Sequence, residues 1–114
     1  MERNIYLRPW GFYDILHTEA GTQIKRIHVQ AGHRLSKQSH EHRSEHWLIT
    51  AGKAQVEIED NVFQLVKGDS VSIGVGEVHR IASASEEGCT FIEIQQGDYL
   101  GEDDIVRYDD DYGR

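Results

Sequence analysis

Short stretches in which polar and apolar residues alternate recur along this chain at intervals of about ten residues. In residues 54–58 every second residue is apolar, and a turn at Asp60-Asn61 leads into a similar stretch at 62–65, as in a β-hairpin. The other stretches that predict strands are 11–16, 23–29, 46–50, 71–73 and 90–95. Helical periodicity is nearly absent. The pattern therefore predicts an all-β domain of about eight antiparallel strands, closed as a small β-barrel or jelly roll.

The length of 114 residues fits one domain, so residues 1–114 are predicted to form a single unit. The formal net charge of −8 opposes binding to nucleic acid or to anionic lipid, and neither is expected as a partner. The first residues contain no apolar stretch long enough for a signal peptide or a spanning helix, so a cytoplasmic protein is expected. Because Cys89 is the only cysteine, a metal would have to be held by histidine, carboxylate or amide groups.

Acidic residues are concentrated at the end of the chain, where 98–114 holds seven acids and two bases. Such a composition is typical of a solvated tail. This segment also contains apolar and aromatic residues, among them Leu100, Ile105 and Tyr112, which a purely solvating tail lacks. We therefore expect the tail to dock on the domain.

Nitrogen and oxygen donors cluster between Gln38 and Trp47. In a strand, side chains two residues apart share a face, so Gln38, His40 and His42 could line one side, and a returning strand could add Glu45. His79 follows in a glycine-containing turn. Spacing alone leaves surface histidines and a metal site equally open.

The spacing of these residues resembles the two short motifs of the cupin superfamily. In the first, Gly32 precedes Gln38, His40, Glu45 and Gly52, with glutamine in place of the usual first histidine. The second motif contains Gly68, Gly74, Gly76, His79 and Ser83, where the usual proline and asparagine are replaced. The resemblance implies a double-stranded β-helix barrel and one divalent metal ion, Zn²⁺, Mn²⁺, Fe²⁺, Co²⁺ or Ni²⁺. It implies as ligands Gln38, His40, Glu45 and His79, and it places His42 and His46 outside the ligand set.

A narrower resemblance covers nearly the whole chain. The segments RPWGFY (8–13), KRI (25–27), LSKQSHEHRSEHW (35–47) and YLGEDDIVR (99–107) are similar to the isomerase domain of type II mannose-6-phosphate isomerases. That family implies metal-dependent conversion of mannose 6-phosphate to fructose 6-phosphate in nucleotide-sugar and polysaccharide biosynthesis. In the family a guanylyltransferase domain usually precedes this one. Guanylyltransferase activity is not expected of this chain, because its 114 residues contain no glycine-rich nucleotide-binding loop.

An aldose–ketose isomerase must move a proton between two carbons and hold the phosphate of its substrate. The candidates for the base are His42, Glu93 and His46. Those for the phosphate are Arg107, Lys25 and Arg26, with Arg107 preferred because it is isolated among acids and a guanidinium can bind phosphate with two hydrogen bonds.

Two other function classes stay open. One is a non-catalytic cupin that binds a sugar or sugar phosphate as a sensor or partner, and the other is an iron-dependent dioxygenase, which the flanking motifs do not support. A homodimer is also expected, paired through an exposed sheet or an exchanged N-terminal strand, because the chain begins with apolar residues, namely Ile5, Tyr6, Leu7 and Trp10.

Overall fold

The computed structural model describes residues 4–113, which form two antiparallel sheets that face each other around one core. The strands are β1 (Ile5–Arg8), β2 (Gly11–Glu19), β3 (Thr22–Val29), β4 (Lys37–Ser39), β5 (Arg43–Ala51), β6 (Lys53–Ile58), β7 (Asn61–Val66), β8 (Ser70–Ile73), β9 (His79–Ser83), β10 (Cys89–Gly97) and β11 (Val106–Asp109). The six-stranded sheet has the order β1-β2-β3-β10-β5-β8, and the five-stranded sheet the order β11-β4-β9-β6-β7. The expected all-β fold is confirmed.

The core is built by the alternation that the sequence displays. On β10, for example, Phe91 is buried between the sheets while Ile92 and Ile94 point outward. Trp47 on β5 packs its ring against Phe91, with 5.2 Å between the ring centroids. Trp10, expected on an apolar surface before the barrel, is instead a buried member of this core. That expectation was wrong because the chain turns inward after β1.

The predicted hairpin forms between β6 and β7, and its turn lies at Glu59-Asp60, one residue earlier than expected. The alternation from Gln38 to His42 is interrupted, because β4 ends at Ser39 and the chain bends at residues 41–42. His40 is therefore buried and His42 exposed, although the two residues would share a face in a continuous strand.

The acidic tail docks on the domain as expected. Strand β11 pairs antiparallel with β4, where Arg107 lies opposite Gln38. Further on, Tyr112 packs against the core, and its hydroxyl lies 2.9 Å from His33 Nδ1. No helix among residues 4–113 is long and apolar enough to cross a membrane.

Candidate metal centre and adjoining cavity

Three buried side chains, His40, Glu45 and His79, each bring one possible ligand atom into a group in which all three atoms lie within 4.8 Å of one another. Glu45 belongs to β5 of the six-stranded sheet, whereas His79 begins β9 of the five-stranded sheet and His40 follows β4. The distance from His40 Nε2 to Glu45 Oε2 is 3.1 Å, and that from His79 Nε2 to Glu45 Oε1 is 3.9 Å. The cluster thus lies between the two sheets.

Backbone carbonyls orient both imidazole rings. His40 Nδ1 lies 2.7 Å from the carbonyl oxygen of Asp104, and His79 Nδ1 lies 2.9 Å from that of Glu77. Since a carbonyl oxygen only accepts hydrogen bonds, each Nδ1 carries the proton and each Nε2 is left to bind a cation. Burial lowers the pKa of His79, which favours the neutral form that a metal requires.

The cluster fits a divalent cation. His40 Nε2 and Glu45 Oε2 are both acceptors, and at 3.1 Å they repel each other unless a proton or a cation compensates. The positive charge of Arg43 partly compensates this repulsion, because its Nη2 lies 2.8 Å from Glu45 Oε2 and 3.3 Å from His40 Nε2. A metal ion bound by these atoms would take the place of the Arg43 guanidinium beside His40 Nε2. Two imidazoles and a carboxylate suit Zn²⁺ and the other divalent metals expected from the sequence.

Gln38, the fourth expected ligand, lies beside the cluster. It pairs with His79 across β4 and β9. Its amide Nε2 donates to the carbonyl oxygen and the hydroxyl of Ser36, at 3.2 and 2.9 Å, so that the amide oxygen is the atom left for an ion. Gln38, Glu45 and His79 all border one small cavity of about 20 Å³.

Glu93 is buried on β10 next to Glu45. The indole Nε1 of Trp47 donates to both carboxylates, at 3.0 Å to Glu45 Oε1 and 3.2 Å to Glu93 Oε1, and Gln95 Nε2 donates to Glu93 Oε2 at 2.7 Å. Burial, together with the negative charge of Glu45, raises the pKa of Glu93 to about 8. Burial also disfavours the charged form of Glu45, but the positive charge of Arg43 opposes this effect and helps to hold the pKa of Glu45 well below its usual range.

His42 and His46, the other two candidates for the base, lie outside this group. The ring of His42 is exposed, with Nδ1 at 3.5 Å from Asp98 Oδ1. His46 lies on the opposite face of β5 from Glu45, and its Nδ1 is 2.8 Å from the hydroxyl of Ser72. Of the three candidates, the structure therefore brings only Glu93 to the cluster.

A larger cavity of about 220 Å³ adjoins the small one, and Gln38 and Glu93 border both. Four cationic side chains line it against two acidic ones, although the chain as a whole is acidic. The cations are Arg8, Lys25, Arg43 and Arg107, and the acids are Glu93 and Glu102. The cavity therefore favours a small anionic ligand with one end near the candidate metal centre.

The three residues expected to bind phosphate are placed differently. Lys25 is buried, and its Nζ lies 2.6 Å from Glu102 Oε1 and 4.5 Å from the centre of the Tyr13 ring. Arg107 is exposed at the rim of the cavity. Arg26 points to the outer face of the sheet, where its guanidinium forms two hydrogen bonds of 3.1 Å with Asp14, and it does not line the cavity.

The sequence interpretation missed several residues of this region. Arg43 could have been found, because it precedes Glu45 by two residues and so shares its face of β5. Arg8 carries no comparable signal, since it reaches the cavity only through the pairing of β1 with β2. Glu102 and Asp104 meet Lys25 and His40 across more than 60 residues of sequence, a separation that no local pattern encodes.

The fold and the position of the cluster define a cupin, in which a barrel of two antiparallel sheets encloses a His/Glu site. Solved structures agree on the fold. The chain superposes on oxalate decarboxylase of Bacillus subtilis with a TM-score of 0.79 at 17% identity, covering 93% of this chain and 30% of that one. It also superposes on the capsular polysaccharide assembling protein CapF of Staphylococcus aureus with a TM-score of 0.83 at 16% identity, covering 96% and 33%.

Sequence comparison defines the family more narrowly. The model of the family described as mannose-6-phosphate isomerase C-terminal matches residues 1–110, so the chain belongs to that family. It is 47% identical over 107 residues to the alginate biosynthesis protein AlgA of Pseudomonas syringae pv. tomato, covering 94% of this chain and 22% of AlgA. It is 43% identical over 114 residues to the mannose-1-phosphate guanylyltransferase ManC of Salmonella typhimurium, covering 100% of this chain and 24% of ManC. The chain thus spans about a quarter of the length of these relatives.

Proposed function

We propose that this chain is a metal-dependent aldose–ketose isomerase that interconverts mannose 6-phosphate and fructose 6-phosphate. The observation that carries the proposal is the continuity of the His40, Glu45 and His79 cluster with a cavity lined by four cations. Membership in the isomerase family supports the reaction class. The names of the relatives, which include alginate and xanthan biosynthesis proteins, support a role in supplying sugars for polysaccharides.

The ligands in this proposal are His40, Glu45 and His79, with the amide oxygen of Gln38 as the fourth. When bound, the ion would supply Lewis-acid stabilisation of the negative charge that develops on the sugar oxygens. The chain's own part is to hold the ligand atoms in place. Asp104 and Glu77 orient the two imidazoles, and Trp47 orients Glu45 through its indole N–H.

Glu93 is the proposed proton-transfer residue. Its carboxyl group borders both cavities and therefore faces a sugar held between the metal centre and the cationic wall. Trp47 and Gln95 donate hydrogen bonds to its two oxygens, which fixes the plane of the carboxyl group. In its ionised form, a carboxylate held in this way can remove a proton from one carbon and return it to the neighbouring carbon.

The turnover of mannose 6-phosphate tests the proposal. The protein reconstituted with each candidate divalent metal should form fructose 6-phosphate, and the protein treated with chelator should not. If the metal-loaded protein binds mannose 6-phosphate in calorimetry but forms no product, it is a binding protein and the isomerase proposal fails. Oxygen consumption with Fe²⁺ would instead indicate a dioxygenase.

Arg107 is the proposed anchor of the phosphate group. Arg107→Lys should lower kcat/KM for mannose 6-phosphate by about ten- to a hundredfold, since lysine keeps the charge but loses one of two charge-assisted hydrogen bonds. Turnover of unphosphorylated mannose should stay unchanged. The matched control is Arg26→Lys, which makes the same substitution on the outer face of the sheet. An equal loss on both sugars, or an equal loss in the control, would contradict this role for Arg107.

We also propose that two copies of the chain pair through the outer face of the six-stranded sheet. Among the outward-facing residues of its central strands β3, β10 and β5, Arg26 is the only one that is fully charged at neutral pH, and Asp14 compensates it. The apolar side chains of this face are Ile24, Leu48, Ile92 and Ile94. With a net charge of −8, two copies repel each other least when they meet through a face like this one, where the single fully charged side chain of the central strands is compensated.

Leu48→Glu should convert this dimer to a monomer, because it places a carboxylate on each side of the interface. Leu48 is already 39% exposed, so the fold should tolerate the change. Sedimentation should give twice the 13.1 kDa chain mass for the parent protein and the single mass for the variant. The control Val62→Glu, at a 59% exposed position of the other sheet, should remain dimeric. A parent protein that sediments as a monomer at micromolar concentration would contradict the pairing.

A further inference from the structure

The C-terminal strap, defined as residues 99–109, crosses the turn that carries His40. One residue of the strap, Asp104, makes three hydrogen bonds to three successive residues of that turn. Its carbonyl oxygen accepts from His40 Nδ1 at 2.7 Å, and its two carboxylate oxygens accept from the backbone N–H groups of Glu41 and His42, each at 3.0 Å. Asp104 is only 9% exposed, so these bonds are shielded from water.

We propose that Asp104 is a positioning residue that fixes the tautomer and the ring orientation of His40. The side chain holds the strap against the turn, and the carbonyl of the same residue then keeps the proton on His40 Nδ1. As a result, Nε2 is unprotonated and faces Glu45 Oε2 at 3.1 Å. This inference rests on the metal site of the proposed function.

The geometry distinguishes Asp104 from the other acids of the tail. Asp103, its neighbour, is exposed and accepts a hydrogen bond from the hydroxyl of Tyr99 within the strap itself. Glu102 reaches in the other direction, to Lys25 in the larger cavity. Asp104 is therefore the acid of this loop whose side chain holds the ligand-bearing turn.

Asp104→Ala should weaken Zn²⁺ binding by about ten- to a hundredfold, as measured by competition with a chromophoric chelator, because partners that orient metal ligands contribute to affinity on that scale. Asp103→Ala is the matched control, since it removes the same charge from the same loop and should leave Zn²⁺ affinity unchanged. Asp104→Asn keeps an acceptor for only one of the two amides, and its affinity should fall between those of the parent and the alanine variant. Thermal unfolding, recorded alongside, shows whether each variant is folded.

The tautomer of His40 provides a second measurement, which needs no metal. In ¹⁵N NMR of the metal-free protein, the parent and Asp103→Ala should show His40 protonated on Nδ1, and Asp104→Ala should show a mixture of both tautomers. Asp104→Ala with parental Zn²⁺ affinity and a parental tautomer would overturn the inference. If the parent protein binds no Zn²⁺, the proposed metal site fails, and the tautomer alone still decides the role of Asp104.

Discussion

His79→Ala should abolish stoichiometric binding of a divalent metal and lower kcat/KM for mannose 6-phosphate by at least about a thousandfold. Loss of this imidazole leaves only His40, Glu45 and Gln38 to hold the ion. A bound metal ion contributes several kcal/mol to stabilisation of the developing charge, and about 4 kcal/mol corresponds to this change in rate. Elemental analysis of the purified variants, together with the isomerase assay, measures both effects.

His42→Ala is the control for this prediction, because it removes a histidine that is close in sequence but exposed and directed toward Asp98. It should retain its metal and nearly all of its activity. If His42→Ala loses metal as completely as His79→Ala, the ligand set is incorrect.

Glu93→Gln should lower kcat by roughly a hundredfold to ten-thousandfold, which is the usual contribution of a positioned acid or base. Glutamine has nearly the same shape and still accepts a hydrogen bond from the indole of Trp47, so the variant should fold and bind one metal ion per chain. The expected signature is therefore a large loss in kcat with metal content intact.

His46→Ala provides the comparison among the candidate bases, since His46 lies on the outer face of β5 beside Ser72. The His46→Ala variant should convert mannose 6-phosphate at the parental rate. A normal kcat in Glu93→Gln, or a larger loss in His46→Ala, would remove Glu93 from the proton-transfer step.

The sequence predicts the long strands well, because each of them alternates between the core and the outside. It gives no bounds for β1, β4, β9 and β11, which hold only three to five residues and depend on tertiary pairing more than on pattern. The position of His42 shows the limit of a local argument. Its spacing from His40 is that of a shared strand face, but the bend at residues 41–42 sends the two side chains apart.

The site could be predicted in part. The resemblance to the cupin motifs implied His40, Glu45 and His79 as ligands rather than the other donors around them, and the structure brings these three together. The residues that surround and orient them could not be predicted, because the contacts of Asp104 with the turn at His40 depend on how the tail docks. By contrast, the alternation of the predicted strand 23–29 could have shown that Lys25 and Arg26 face opposite sides, and the structure places only Lys25 in the cavity.

The central claim is that a metal ion and Glu93 together move a proton within a phosphorylated sugar. The most direct measurement is ¹H NMR of mannose 6-phosphate in D₂O with the metal-loaded protein. The account predicts fructose 6-phosphate that has acquired solvent deuterium at C1, no product with chelator-treated protein, and product formation at least about a hundredfold slower with metal-loaded Glu93→Gln at the same concentration. A protein that holds one metal ion per chain, binds mannose 6-phosphate and forms neither product nor exchanged substrate would contradict it.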